Sequence, residues 1–96
     1  MVMHIVMFVF KENTDQVFID EAKAQIEQLI DLVPGLQHMK VGLNFSDEER
    51  AMDMVLISSF NSREDLDFYA KHPEHLKVIA FIKTIAEYTK VVDFEV

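Results

Sequence analysis

Within the short stretch YAKHPEH, Tyr69 to His75, the chain gathers a phenol, two imidazoles and a proline. A neutral imidazole has an ordinary pKa near ~6.5, so His72 and His75 can exchange protons near neutrality. A phenol can donate a hydrogen bond to a carbonyl or steady a neighbouring base. Two more polar groups stand alone in apolar runs: His4 in HIVMFVF, and Asp53 ahead of MVLI. On a helix, His75 falls one turn before Ile79 and two before Ile82, on or beside the buried stripe. His4, Asp53, Tyr69 and His75 can therefore converge on one pocket between a sheet and its helices. Acid–base work and a buried hydrogen-bond network that only fixes packing both stay open.

Other chemistries find less support. His72 and His75 are three apart, but Pro73 between them marks a helix start, so the two do not share a helical face as an H-x-x-x-H pair does. No metal site is expected. Ser58 and Ser59 lack a G-x-S-x-G elbow, and two glycines cannot build a phosphate-cradling loop. With no cysteine, thiolate catalysis, thiolate metal sites and disulfides are excluded, which fits a reducing, cytoplasmic setting. No cofactor is implied.

At 96 residues the chain has room for one domain, residues 1–96, and with half of them hydrophobic it should fold. The net charge of −8, with no basic run, argues against nucleic acid and anionic membranes as partners. The apolar start, MVMHIVMFVF, is too short to span a bilayer and lacks a basic leader region.

The pattern predicts a first strand over 2–10, apolar on both faces, with His4, Val6, Phe8 and Phe10 on one and Met3, Ile5, Met7 and Val9 on the other. Asn13 or Thr14 offers an N-cap, with Asp15 in the first turn, for a helix whose stripe runs from Val17 to Val33. Pro34-Gly35 ends it. Further strands are expected over 36–45 and 52–60, separated by the polar SDEER turn. Ser62 with Asp65 caps a short helix reaching Tyr69, and Pro73 opens another with His72 at its N-cap position. The last strand covers 88–96. The order β-α-β-β-α-α-β gives an α+β, ferredoxin-like sandwich, a four-stranded antiparallel sheet with helices on one face. Helices cover one sheet face only, yet the first and third strands are apolar on both. A homodimer joined sheet to sheet, a dimeric α+β barrel, resolves that mismatch.

The chain resembles the stress-responsive A/B barrel (Dabb) family along essentially its whole length. The resemblance rests on HIVMFVFKE, PGL followed by VGLNFS, DMVLISSF, DLDFYAKHPEHLKV and the terminal VVDFEV. It implies the dimeric α+β barrel and a small stress-response-type protein with no known reaction, as stable homodimer or binder of a small apolar molecule. One plant branch of the family cyclises linear polyketides with a histidine–tyrosine pair in an apolar tunnel. By resemblance, those roles fall on His75 as base and Tyr69 as its partner, with His4 lining the cavity. Asp53 stands where those cyclases have another histidine, and the first helix has no tyrosine. The expected site is thus His75 and Tyr69 as catalytic candidates in a cofactor-independent, cyclase- or lyase-like reaction, with His4, Asp53 and His72 completing a ligand pocket.

Overall fold

A computed structural model describes all residues, 1–96. Its elements are β1 (Val2–Phe10), α1 (Gln16–Leu32), β2 (Leu36–Leu43), β3 (Met54–Phe60), α2 (Arg63–Lys71), α3 (Pro73–Ile85) and β4 (Ala86–Glu95). The strands form one antiparallel sheet in the order β2-β3-β1-β4. This is the predicted α+β, ferredoxin-like order. The two strands that read as apolar on both faces, β1 and β3, are the two central ones.

The helices lie on the sheet face that carries Val2, Val6, Phe8 and Phe10 of β1 with Met54, Leu56 and Phe60 of β3. Against it α1 presents Ala22, Ile26 and Leu29, and α3 presents Val78, Ile82 and Ile85, all buried. Burying each such side chain contributes roughly 1.5–3 kcal/mol, and this single layer forms the whole core. By register, the opposite sheet face carries Met3, Ile5 and Met7 beside Val55, Ile57, Val92 and Phe94. No helix covers that face: Ile57, Val92 and Phe94 are 40%, 54% and 45% exposed. A continuous apolar surface of this kind marks an interaction site.

Several local expectations are corrected. Asp15, not Asn13 or Thr14, caps α1, accepting from Val17 N. Asn13 adopts a left-handed φ of 63° in the preceding turn, and the Thr14 hydroxyl donates to the Lys11 carbonyl at 2.6 Å, so both are engaged in the turn itself. The α1 stripe is narrower than its periodicity suggests, with Val17 61% exposed at the open first turn. In β2 the pairing register shifts between Leu36 and His38, which restores Leu36 and Met39 to the same face and leaves Gln37 in solvent. The third strand begins at Met54, placing Asp53 in the turn before it, and the last begins at Ala86. At Gly35 the backbone takes φ +92°, which favours glycine, and an added Cβ would lie 3.2 Å from the Asp65 carboxyl carbon, close enough that the Asp65 side chain would have to give way.

Candidate functional site

The site begins with the way α2 ends. A residue before proline is pushed out of the helical region, and His72 takes φ −66°, ψ 136°. It closes α2 and caps α3 at once: its Nδ1 accepts from Glu74 N at 3.1 Å, while Pro73 occupies the first helical position. The break turns α3 back across the end of α2. His75, in the first turn of α3, then reaches the Ala70 carbonyl, one of the final α2 carbonyls that have no helical donor; the separation is 3.1 Å. A carbonyl only accepts, so His75 Nδ1 carries the proton and Nε2 keeps the lone pair in the neutral ring.

Tyr69, 1% exposed, lies beneath this junction. Its ring is 4.2 Å from that of His75, 5.1 Å from Phe60 and 6.2 Å, edge-on, from His4. His4 projects from β1 and its Nδ1 donates to the carboxylate of Asp93, its direct cross-strand neighbour on β4. Ser58, across the other edge of β1, donates to the His4 carbonyl at 3.1 Å. Tyr69 has no side-chain hydrogen bond within the chain, yet no buried polar atom lacks a partner. Its hydroxyl is therefore at an accessible point of the wall.

That wall belongs to a cavity of about 460 Å³ between the sheet, α1 and α3. Twelve of its seventeen lining residues are hydrophobic, so the body of any occupant must be largely apolar. His4, Tyr69 and His75 supply polar atoms toward one end; Lys83, Glu87 and Thr89 lie toward the other, where α3 passes into β4. Burial pushes the His75 pKa down from 6.5; the Ala70 hydrogen bond opposes this, and the charges of His4 and His72 add to it. The imidazole is thus neutral at pH 7, with a lone pair to accept a proton. Burial pushes the Tyr69 phenol well above its ordinary value, so it stays protonated and acts as a donor.

Of the residues singled out from the sequence, His4, Tyr69 and His75 come together at this cavity. Asp53 and His72 do not, which corrects their assignment to the pocket. Asp53 is exposed at the far end of β1, where its Oδ2 accepts from Phe10 N at 2.8 Å. That amide sits beside the register shift between Val9 and Phe10, so the carboxylate serves a donor the ladder leaves free. The His72 ring packs edge-on against Phe68 outside the cavity, 5.6 Å away, while its nitrogen serves the helix cap. Three contributors escaped the sequence reading: Asp93, the Ala70 carbonyl and Lys83. Asp93 carried a signal, as the one acid in an otherwise apolar VVDF run; a backbone carbonyl carries none. No group of three or more His, Asp or Glu residues has a geometry that could hold a metal ion. No helix is long and apolar enough to cross a membrane.

The family model of the stress responsive A/B barrel domain matches residues 2–96. The chain belongs to the stress responsive A/B barrel domain family. Among solved structures, a dimeric protein of unknown function and ferredoxin-like fold from Bacteroides fragilis is 29% identical, with a TM-score of 0.89 over 99% of this chain and 95% of that one. A dimeric ferredoxin-like protein of unknown function from Jannaschia sp. CCS1 is 27% identical, with a TM-score of 0.83 over 99% and 98%. The hydroxynitrile lyase from Passiflora edulis is 24% identical, with a TM-score of 0.89 over 99% and 92%, a likeness of fold. No curated protein matches the chain significantly. Dabb membership accounts for the fold and leaves the reaction, if there is one, to the chemistry of the cavity.

Proposed function

We propose that this Dabb-domain chain is a cytoplasmic homodimer that binds a small, largely apolar carbonyl compound in the cavity between its sheet and helices. The observation that carries the ligand is the convergence of His4, Tyr69 and His75 on an otherwise apolar space of about 460 Å³. The Tyr69 hydroxyl has no partner within the chain and stays protonated, which suits it to donate to a carbonyl oxygen. The dimer is supported by the uncovered face around Ile5, Ile57 and Val92, and by the description of two structural neighbours as dimeric. The absence of cysteine agrees with a reducing compartment.

A second reading rests on His75. Its Nδ1–H is held by the Ala70 carbonyl, which leaves Nε2 unprotonated and orients the ring beside Tyr69. That is the arrangement of a general base next to a hydrogen-bond donor: Nε2 removes a proton alpha to a carbonyl while Tyr69 donates to the oxygen that gains charge. A fold-mate, the Passiflora edulis protein, is named as a lyase. Titration of the labelled protein with nonanal, followed by NMR, separates ligand binding from a purely structural role. Shifts concentrated at Tyr69, His75, Val78 and Ile82 are expected. Shifts confined to other surfaces, or no saturable shift at all, refute the ligand-binding reading, and proton exchange at the nonanal alpha carbon that is lost in His75→Gln marks the enzyme.

A further inference from the structure

The cavity carries one basic side chain besides its two imidazoles. Lys83 lies on α3 eight residues beyond His75, about 12 Å along a helix that rises ~1.5 Å per residue. The parallel wall agrees: His4 and Phe8, which line the same space, are four strand residues apart, roughly 13 Å. The polar cluster and Lys83 therefore stand at opposite ends of an apolar trough. Lys83 forms no ion pair within the chain, a state it shares with Lys11, Lys40, Lys71 and Lys90; what sets it apart is that it alone of these lines the apolar cavity. It also sits in the last turn of α3, where a cation is favoured by the helix dipole, but that role needs no apolar trough beneath it. One acid, Glu87, lines the same end, and the Lys11 ammonium reaches the Thr84 carbonyl beside Lys83 at 3.4 Å, so two cations and one acid set the local charge.

We infer that the ligand is an elongated amphiphile, an oxo-carboxylate, whose carbonyl meets Tyr69 and His75 and whose carboxylate lies at Lys83. This rests on the ligand-binding reading above and adds to it the class of molecule and its direction in the cavity. A neutral compound fills the apolar body equally well and reaches the same phenol; what it lacks is a group to meet the Lys83 ammonium that lines the far end. Ordering by both ends fixes which atoms face His75, as a single polar anchor does not. Glu87 opposes the carboxylate and tunes its affinity downward.

The test uses azelaic semialdehyde and its methyl ester, which share an aldehyde and a chain and differ in one charge, titrated calorimetrically into the full-length protein. The acid is expected to bind more tightly than the ester. In Lys83→Gln the acid weakens by about threefold, the scale of a solvent-screened charge pair, while the ester is unchanged. In Glu87→Gln the acid tightens by a similar factor. Raising the salt concentration narrows the gap between acid and ester. Equal binding of the two probes, with no response to Lys83→Gln, overturns this inference and leaves the ligand-binding reading standing. A larger effect of Tyr69→Phe on the acid than on the ester, with Lys83→Gln silent, reverses the direction and also overturns it. Failure of both probes to bind removes the ligand-binding reading and this inference with it.

Discussion

Replacing Tyr69 by phenylalanine deletes one oxygen atom and little else. The ring keeps its contacts with Phe60 at 5.1 Å and His75 at 4.2 Å, so the packing contribution of this 1%-exposed side chain survives. The hydroxyl makes no hydrogen bond within the chain, so none is broken, and no buried partner is stranded. A typical intramolecular hydrogen bond contributes about 0.5–1.5 kcal/mol; here that loss is absent, and the expected change in stability is within ~0.5 kcal/mol. For a domain of this size that shifts the melting temperature by roughly 2–4 °C at most. Tyr69→Ala removes the ring as well and should cost about 3–5 kcal/mol, which makes it the control for structural importance. Binding of the azelaic semialdehyde methyl ester should respond the other way. Losing the phenol donor weakens it by about 0.5–1.5 kcal/mol, or roughly two- to twelvefold, in Tyr69→Phe. Differential scanning fluorimetry and titration calorimetry on the same samples give both numbers. A Tyr69→Phe protein destabilised by well over 1 kcal/mol, with ester affinity intact, refutes the reasoning, because the hydroxyl would then belong to the packing.

Three other outcomes follow from particular groups. Because burial lowers the His75 pKa below 6.5, the unfolded chain binds the extra proton as the pH falls through that value, so stability is complete above about pH 6.5 and declines on acidification; His75→Gln should flatten this part of a pH series of denaturant melts. Asp53→Ala leaves the Phe10 amide without its partner and should cost about 1 kcal/mol while leaving methyl ester binding unchanged, since the carboxylate is remote from the cavity; calorimetric and urea titrations check both. Ile5→Asp puts a charge into the centre of the uncovered sheet face and should shift the mass measured by light scattering from dimer toward monomer; a wild-type chain that is already a stable monomer in dilute solution refutes the dimer.

Much of the architecture is determined by the sequence alone, because it is written in local pattern. Periodicity gives the strands and helices, Pro34-Gly35 ends α1, Ser62 caps α2, and the proline at position 73 makes His72 a cap. The two-sided apolar runs of β1 and β3 already called for a sheet with two faces to bury, while their central place in it came from the strand pairing. The gathering of His4, Tyr69 and His75 was legible as well, from polar residues set into apolar elements.

Tertiary structure decided the remainder. Asp53 and Asp93 are alike in sequence, each a lone acid beside an apolar run. Strand register puts Asp93 directly across from His4, whereas the start of β3 at Met54 leaves Asp53 in a turn, turned toward a bulge amide. Register is a long-range property: a one-residue slip reverses every side chain, and no local signal reports it. YAKHPEH illustrates the same division. Its proline dictates the break between α2 and α3, but only the angle of their packing brings His75 back to the Ala70 carbonyl, leaves its second nitrogen free, and separates it from the His72 that the motif sets beside it.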